Sequence, residues 1–164
     1  NPLPDFGAMS MASAPPVIFL DVDGVLNRVD DPGDERVDAT MLLRVRQLAD
    51  SAGAVVVISS DWRTQPEAKA HIERRLAMLN VTVIGATPLA RTRALARPAE
   101  IFQWLSTHPE EHNGRYVVLD DRDLTRETRG AELAAARRFV RTDPNVGFTD
   151  ENLAEAIGVL RRVD

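Results

Sequence analysis

From Val17 onward, short apolar runs alternate with stretches whose apolar residues recur at helical spacing, the pattern of β-α units wound around a parallel sheet. Five runs, at residues 17–20, 54–58, 81–84, 116–119 and 139–140, are largely apolar and rich in β-branched residues, as strands covered on both faces require. Between them, Asp38 can cap a helix that carries Met41, Leu42, Val45, Leu48 and Ala49 on one face and stops at Gly53. Pro66 suits the first turn of a second helix, with Ala68, Ile72, Leu76 and Leu79 inward, and Pro98 opens a third bearing Ile101, Phe102 and Leu105. A fourth is expected over about 131–138, with Arg137 and Arg138 on a solvated face, and a fifth from Asp150 with Leu153, Ile157 and Leu160 inward. The expected fold class is therefore α/β, with helices on both sides of five parallel strands.

The 164 residues leave room for one domain, placed at 17–164. Residues 1–16 are proline-rich, and Gly7-Ala8-Met9-Ser10 looks like what tag removal leaves behind. This segment is expected to be a disordered leader, with Met9 or Met11 as the native start. It has no basic stretch followed by an apolar one, as a secretory signal would, and no apolar run approaches the roughly 20 residues that span a bilayer. A soluble, cytoplasmic protein is the expectation. The chain lacks Cys, which removes thiol chemistry and Cys-held zinc, and its three histidines leave little for a histidine cage. Any metal is then bound by oxygen. With 25 acidic against 20 basic residues the net charge is −5, which disfavours coating of nucleic acid or attachment to an anionic membrane but leaves room for local basic patches.

In an open parallel sheet the ligand crevice lies beyond the carboxyl ends of the strands, so the polar residues that follow each strand matter most. They are Asp21-Val22-Asp23, Ser59-Ser60-Asp61, Gly85-Ala86-Thr87 and Asp120-Asp121. If the first and fourth strands are neighbours, their two acidic pairs converge. Like charges that close raise one another's pKa and cost stability unless a cation sits among them, and the natural cation for oxygen ligands is Mg²⁺. Side chains two apart on extended backbone share a side, so Asp21 and Asp23 can face one substrate, and Gly24 lets the chain turn away with its N–H groups near the ligand. A Ser59 hydroxyl can donate to an anionic oxygen, and Arg97 beside Pro98 can offset charge on a transferring group. Each residue alone has a plainer reading: Asp in a turn, Ser59 or Asp120-Asp121 as a cap, Arg97 as a surface side chain. Their joint placement at strand ends in one sheet points to phosphoryl transfer.

Leu20-Asp21-Val22-Asp23-Gly24-Val25-Leu26-Asn27 resembles the first motif of the haloacid-dehalogenase-like (HAD) phosphohydrolases. Val56-Val57-Ile58-Ser59 is similar to the second motif, Arg97 stands where the family has Lys or Arg before a helix, and Val117-Val118-Leu119-Asp120-Asp121 resembles the acidic fourth motif. The stretches ISSDWR, RPAEIFQWL and TDPNVGFT are similar to the small HAD domains found in RNA-repair proteins. The resemblance implies a Rossmannoid three-layer sandwich with strand order 3-2-1-4-5. It implies that Asp21 is the nucleophile that forms an aspartyl-phosphate, and that Asp23 protonates the leaving oxygen and then activates water. Mg²⁺ would be held by the Asp21 carboxylate, the Asp23 main-chain carbonyl and Asp120, with Asp121 assisting; Ser59 would bind the phosphoryl group and Arg97 would offset its charge. Ser60 is an alternative to Ser59, and Arg91 or Arg93 to Arg97.

HAD enzymes usually carry a cap domain after the first or second motif, and the lengths between Asp23 and Ser59 and between Ser60 and Arg97 leave no space for one. Relatives with an open site act on macromolecular phosphates or close the site by self-association. The Arg91-Thr92-Arg93-Ala94-Leu95-Ala96-Arg97 loop and the Asp61-Trp62-Arg63 corner are expected to border it, with Trp62, Arg63, Arg91 and Arg93 as substrate-binding candidates beside Gly24 and Ser60. The phosphorylated end of a polynucleotide suits such a border. Since 19 of the 20 basic residues are arginine, however, an arginine loop is also what the composition would produce anywhere, and Trp62 and Trp104 also suit packing. A module that holds phosphate and Mg²⁺ without turnover is the alternative of another class.

Overall fold

The computed structural model describes residues 13–31, 37–89 and 97–163. Its centre is a five-stranded parallel sheet in the order β3-β2-β1-β4-β5, built from β1 (Val17–Leu20), β2 (Val55–Ile58), β3 (Val83–Ala86), β4 (Tyr116–Asp120) and β5 (Phe139–Arg141). Strand order reverses between β1 and β4, which is where the crevice of such a sheet lies.

Alternation along the strands divides the core into two layers. Ile18 and Leu20 face α1 (Ala39–Ala52), α2 (Pro66–Met78) and α5 (Asp150–Arg161), whereas Val17 and Phe19 face α3 (Arg97–Thr107) and α4 (Gly130–Ala136). All four β1 residues are fully buried. The Phe19 ring meets Trp104 and Tyr116 edge-on, with centroids 5.6 and 5.9 Å apart, so Trp104 is a packing residue. The helix signals act as expected at α1, where the Asp38 carboxylate accepts from the N–H groups of Thr40 and Met41 and Gly53 closes the helix at φ 61°. No described helix is long and apolar enough to cross a membrane.

Three expectations are corrected. The third strand begins and ends two residues later than 81–84, because Asn80 takes a left-handed conformation and the Val81 N–H bonds back to Leu76 O, which makes Val81 the end of a helix cap. Gly85 and Ala86, expected beyond the strand, therefore pair with β2. The fourth helix stops at Ala136, with Arg137 left-handed at its end, and Arg138 turns inward: its guanidinium lies 5.4 Å from the Tyr116 ring and it is only 2% exposed. Pro15 and Pro16, assigned to the leader, accept hydrogen bonds from the N–H groups of Asn113 and Val55 and so extend the sheet's framework.

Candidate active site

The carboxyl ends of β1, β2 and β4 place the acidic and hydroxyl residues together. Leu20 pairs in register with both Ile58 and Leu119, so Asp21, Ser59 and Asp120 stand side by side at the next position. Hydrogen bonds from Asp21 N to Leu119 O and from Ser59 N to Leu20 O, at 3.0 and 2.8 Å, carry that register past the strands. Asp21 and Asp120 are buried and Asp121 is half-buried, and one carboxylate oxygen of each lies within 4.8 Å of the others. Hard oxygen ligands at that separation could hold a divalent metal ion. Gly24, at φ 77°, is what lets Asp121 in: a Cβ there would fall 2.6 Å from Asp121 Cγ.

Arg97, at the start of α3, is the cation of this centre. Its Nη1 lies 2.7 Å from Asp120 Oδ2 and 3.2 Å from Asp21 Oδ1, and its Nη2 lies 3.3 Å from Asp61 Oδ1. It is 4% exposed, and its backbone N–H is held by Glu127 Oε2 at 3.1 Å. Burial raises the Asp21 carboxyl well above its ordinary range, with the neighbouring Asp120 charge adding to the rise and Arg97 opposing it. Asp120 is raised by the same burial, again opposed by Arg97. Burial alone would lower the Arg97 guanidinium, but the Asp21 and Asp120 charges outweigh it and hold the cation fully protonated. One guanidinium thus faces two buried carboxylates and a half-buried third, leaving a centre that favours further positive charge.

The two serines differ in what they bond. Ser60 Oγ accepts from Trp62 N at 3.2 Å and caps a 3₁₀ turn over Asp61–Thr64. Ser59 Oγ is buried with no hydrogen-bond partner among the described residues. An unsatisfied buried hydroxyl beside a carboxylate cluster is the kind of group that a ligand oxygen would satisfy.

Asp23 stands apart from the cluster and is exposed. Its Oδ1 accepts from Asn27 Nδ2 at 3.0 Å and its Oδ2 from the Trp62 indole N–H at 3.0 Å. Asn27 is fixed in turn, because its Oδ1 accepts from Gly24 N at 2.8 Å. Asp23, Trp62, Gln65, Ala68 and His71 line a pocket of about 550 Å³ against α2.

Arg63 is bound on every side by the protein. Its Nε donates to Thr87 O at 2.8 Å, its Nη1 to Ser60 O at 2.7 Å and its Nη2 to Glu100 Oε2 at 2.8 Å, so this substrate-binding candidate is committed to the protein. Arg91 and Arg93 lie outside the described residues. The sequence names Asn27 and Asp61 within motifs but gives neither a contact, and it does not point to Glu127 or Thr142, the last of which donates through Oγ1 to Gly24 O at 2.7 Å. An amide four residues after Asp23 is a readable signal; a threonine 118 positions from Gly24 is not.

The family model described as the HAD domain in Swiss Army Knife RNA repair proteins matches residues 17–153. Comparisons with curated proteins and with solved structures return no match.

Proposed function

The chain belongs to that family of HAD domains, and from this premise we propose that it is a Mg²⁺-dependent phosphatase that hydrolyses phosphate monoesters through Asp21. The observation that carries the reading is the Asp21, Asp120 and Asp121 cluster beside an orphaned Ser59 hydroxyl, with Asp23 held at the edge by Asn27 and Trp62.

In this reading an oxygen of Asp21 attacks phosphorus, and the bond from phosphorus to the leaving oxygen breaks as Asp23 gives that oxygen its proton. Water then attacks phosphorus as Asp23 takes a proton from it, the bond from phosphorus to the Asp21 oxygen breaks, and inorganic phosphate leaves with both carboxyls restored. Ser59 donates to a phosphoryl oxygen and Arg97 offsets its charge while holding Asp21 and Asp120 in place. Asp21, the Asp23 carbonyl, Asp120 and Asp121 would hold Mg²⁺, which neutralises charge on the phosphoryl group when bound. The open carboxyl edge, with no further domain inserted among the described residues, suits a large substrate. Because the family occurs in RNA repair proteins, the phosphorylated end of a nucleic-acid strand is the substrate class we favour.

The test is phosphate release from 3′- and 5′-phosphorylated oligonucleotides, mononucleotides, sugar phosphates and phosphopeptides, with Mg²⁺ and with EDTA. Release that needs Mg²⁺ and is fastest on oligonucleotide ends is the expected result. Equal rates on oligonucleotides and sugar phosphates would remove the nucleic-acid reading, and metal binding without product would leave a phosphate-binding module.

A further inference from the structure

The general acid of the proposed reaction must reach the oxygen that departs with the product, so the place where Asp23 is held defines the leaving-group side of the site. Asp23 is an exposed aspartate, and an exposed carboxylate ordinarily samples several rotamers. Here both of its oxygens are engaged, one by a near neighbour in the chain and one by a distant residue. Asn27, four residues on and itself fixed by Gly24 N, takes Oδ1; Trp62, from the 3₁₀ turn after β2, takes Oδ2 through its indole N–H.

We propose that Trp62 is the positioning residue of Asp23: its indole N–H holds the carboxylate at the rim of the α2 pocket, and that pocket receives the leaving alcohol. The proposal rests on the phosphatase reading above and gives Trp62 a role other than stacking on a base.

The 3₁₀ turn is what aims the indole. Ser60 Oγ caps it at Trp62 N, Arg63 ties it to Ser60 O, Thr87 O and Glu100, and the ring is half-buried against the core below and tilted at 36° to His71 beside it. A tryptophan N–H only donates, so it can engage a carboxylate oxygen but cannot compete with Asp23 for the proton. When Asp23 carries its proton, one oxygen offers it to the leaving oxygen while the other keeps its donor. After transfer the carboxylate accepts from Asn27 and Trp62 again, in the place from which it takes a proton from water. Such positioning acts on the transition state and matters most where the leaving group most needs a proton. Alcohols such as sugar hydroxyls are poor leaving groups and need it; 4-nitrophenolate departs with little help.

The test is the rate of Trp62→Phe, which keeps a ring and removes the N–H, across 4-nitrophenyl, phenyl and alkyl phosphates with Mg²⁺. The loss in kcat is expected to grow along the series, reaching roughly tenfold or more on the alkyl ester, a part of the 10²–10⁴ that general acids contribute. Asp23→Asn should show the same trend with a larger span. A loss of the same factor for every ester, or a rise in KM alone, would make Trp62 a wall of the pocket and overturn the proposal. A wild-type protein that hydrolyses none of the series would overturn the phosphatase reading and this inference with it. Should Trp62→Phe not fold, the indole N–H signal of Trp62 in the full chain is read by NMR instead: it is expected to move in Asp23→Ala while that of Trp104 stays, and an unmoved signal would contradict the contact.

Discussion

Arg63 and Arg97 are both arginines whose side chains are 4% exposed, yet they belong to different kinds of place. Arg63 sits among acceptors that satisfy it: three backbone or side-chain oxygens within 2.8 Å, one of them the buried Glu100 carboxylate, with the exposed Asp61 farther off at 3.8 Å. Burial lowers its affinity for the proton, and Glu100 opposes that fall without cancelling it. Arg97 faces more negative charge than it can neutralise, with Asp21, Asp120 and Asp61 on one guanidinium and Asp121 close by. A corner that balances itself is architecture. A centre left short of positive charge by the fold is where a cation and a phosphate can both be bound, and its buried carboxylates carry pKa values that no structural ion pair requires.

The difference can be broken most severely by Asp21→Asn. Removing the proposed nucleophile is expected to lower kcat by about 10⁴ or more on any substrate the protein accepts, measured as phosphate release with Mg²⁺. Next comes the direct exchange of roles between the arginines. Arg97→Lys supplies a point charge where the guanidinium reaches Asp21 and Asp120 through Nη1 and Asp61 through Nη2, and should cost on the order of 10²-fold in kcat with the fold retained by circular dichroism. Arg63→Met should instead act on stability, by about 3–5 kcal/mol in urea unfolding, since it breaks the buried Arg63–Glu100 ion pair and the guanidinium's bonds to Ser60 O and Thr87 O. Comparable loss of stability in both variants, or comparable loss of kcat, would erase the distinction.

A smaller effect follows from the raised Asp21 and Asp120 carboxyls. With folded values above the ordinary 3.8, the native state binds more protons than the unfolded one between that value and the raised one, so metal-free stability falls as pH rises through this window. In EDTA, Asp21→Asn should therefore melt higher than wild type near pH 7, and the two should converge below the ordinary carboxylate range. Mg²⁺ should raise the wild-type melting temperature at pH 7 and do less for the variant. The smallest effect is expected at Gly24→Ala, where the Cβ meets Asp121 and φ is 77°: a cost of about 1–3 kcal/mol in stability, with weaker Mg²⁺ protection against heat.

How legible these features were depended on whether their cause was local. The helix caps at Asp38 and Gly53 and the proline at the start of α2 are written in adjacent residues and stand where the sequence puts them; of the two acid pairs expected to converge, Asp21, Asp120 and Asp121 do so and Asp23 stands apart. Arg138, expected on a solvated face, is turned inward by partners distant in the chain, the Tyr116 ring and carbonyl and the Val159 carbonyl among them. Likewise nothing near Arg63 in sequence announces Glu100, so a residue that closes a corner looked like one that would greet a substrate. The shift of β3 came from Asn80, whose left-handed turn lets the helix end take Val81 before the strand can. Ser59 and Ser60 were indistinguishable as neighbours; only the 3₁₀ turn, by using Ser60 as its cap, separates them.

The central claim is that Asp21 carries the phosphoryl group, and acid-quench mass spectrometry of the protein mixed with its best substrate and Mg²⁺ tests it most directly. A peptide containing Asp21 that gains the mass of one phosphoryl group, gains more in Asp23→Asn, where hydrolysis of the intermediate is slowed, and gains none in Asp21→Asn is the predicted result. Full turnover with no phosphorylated peptide in any of the three proteins, or an Asp21→Asn variant as active as wild type, would contradict it.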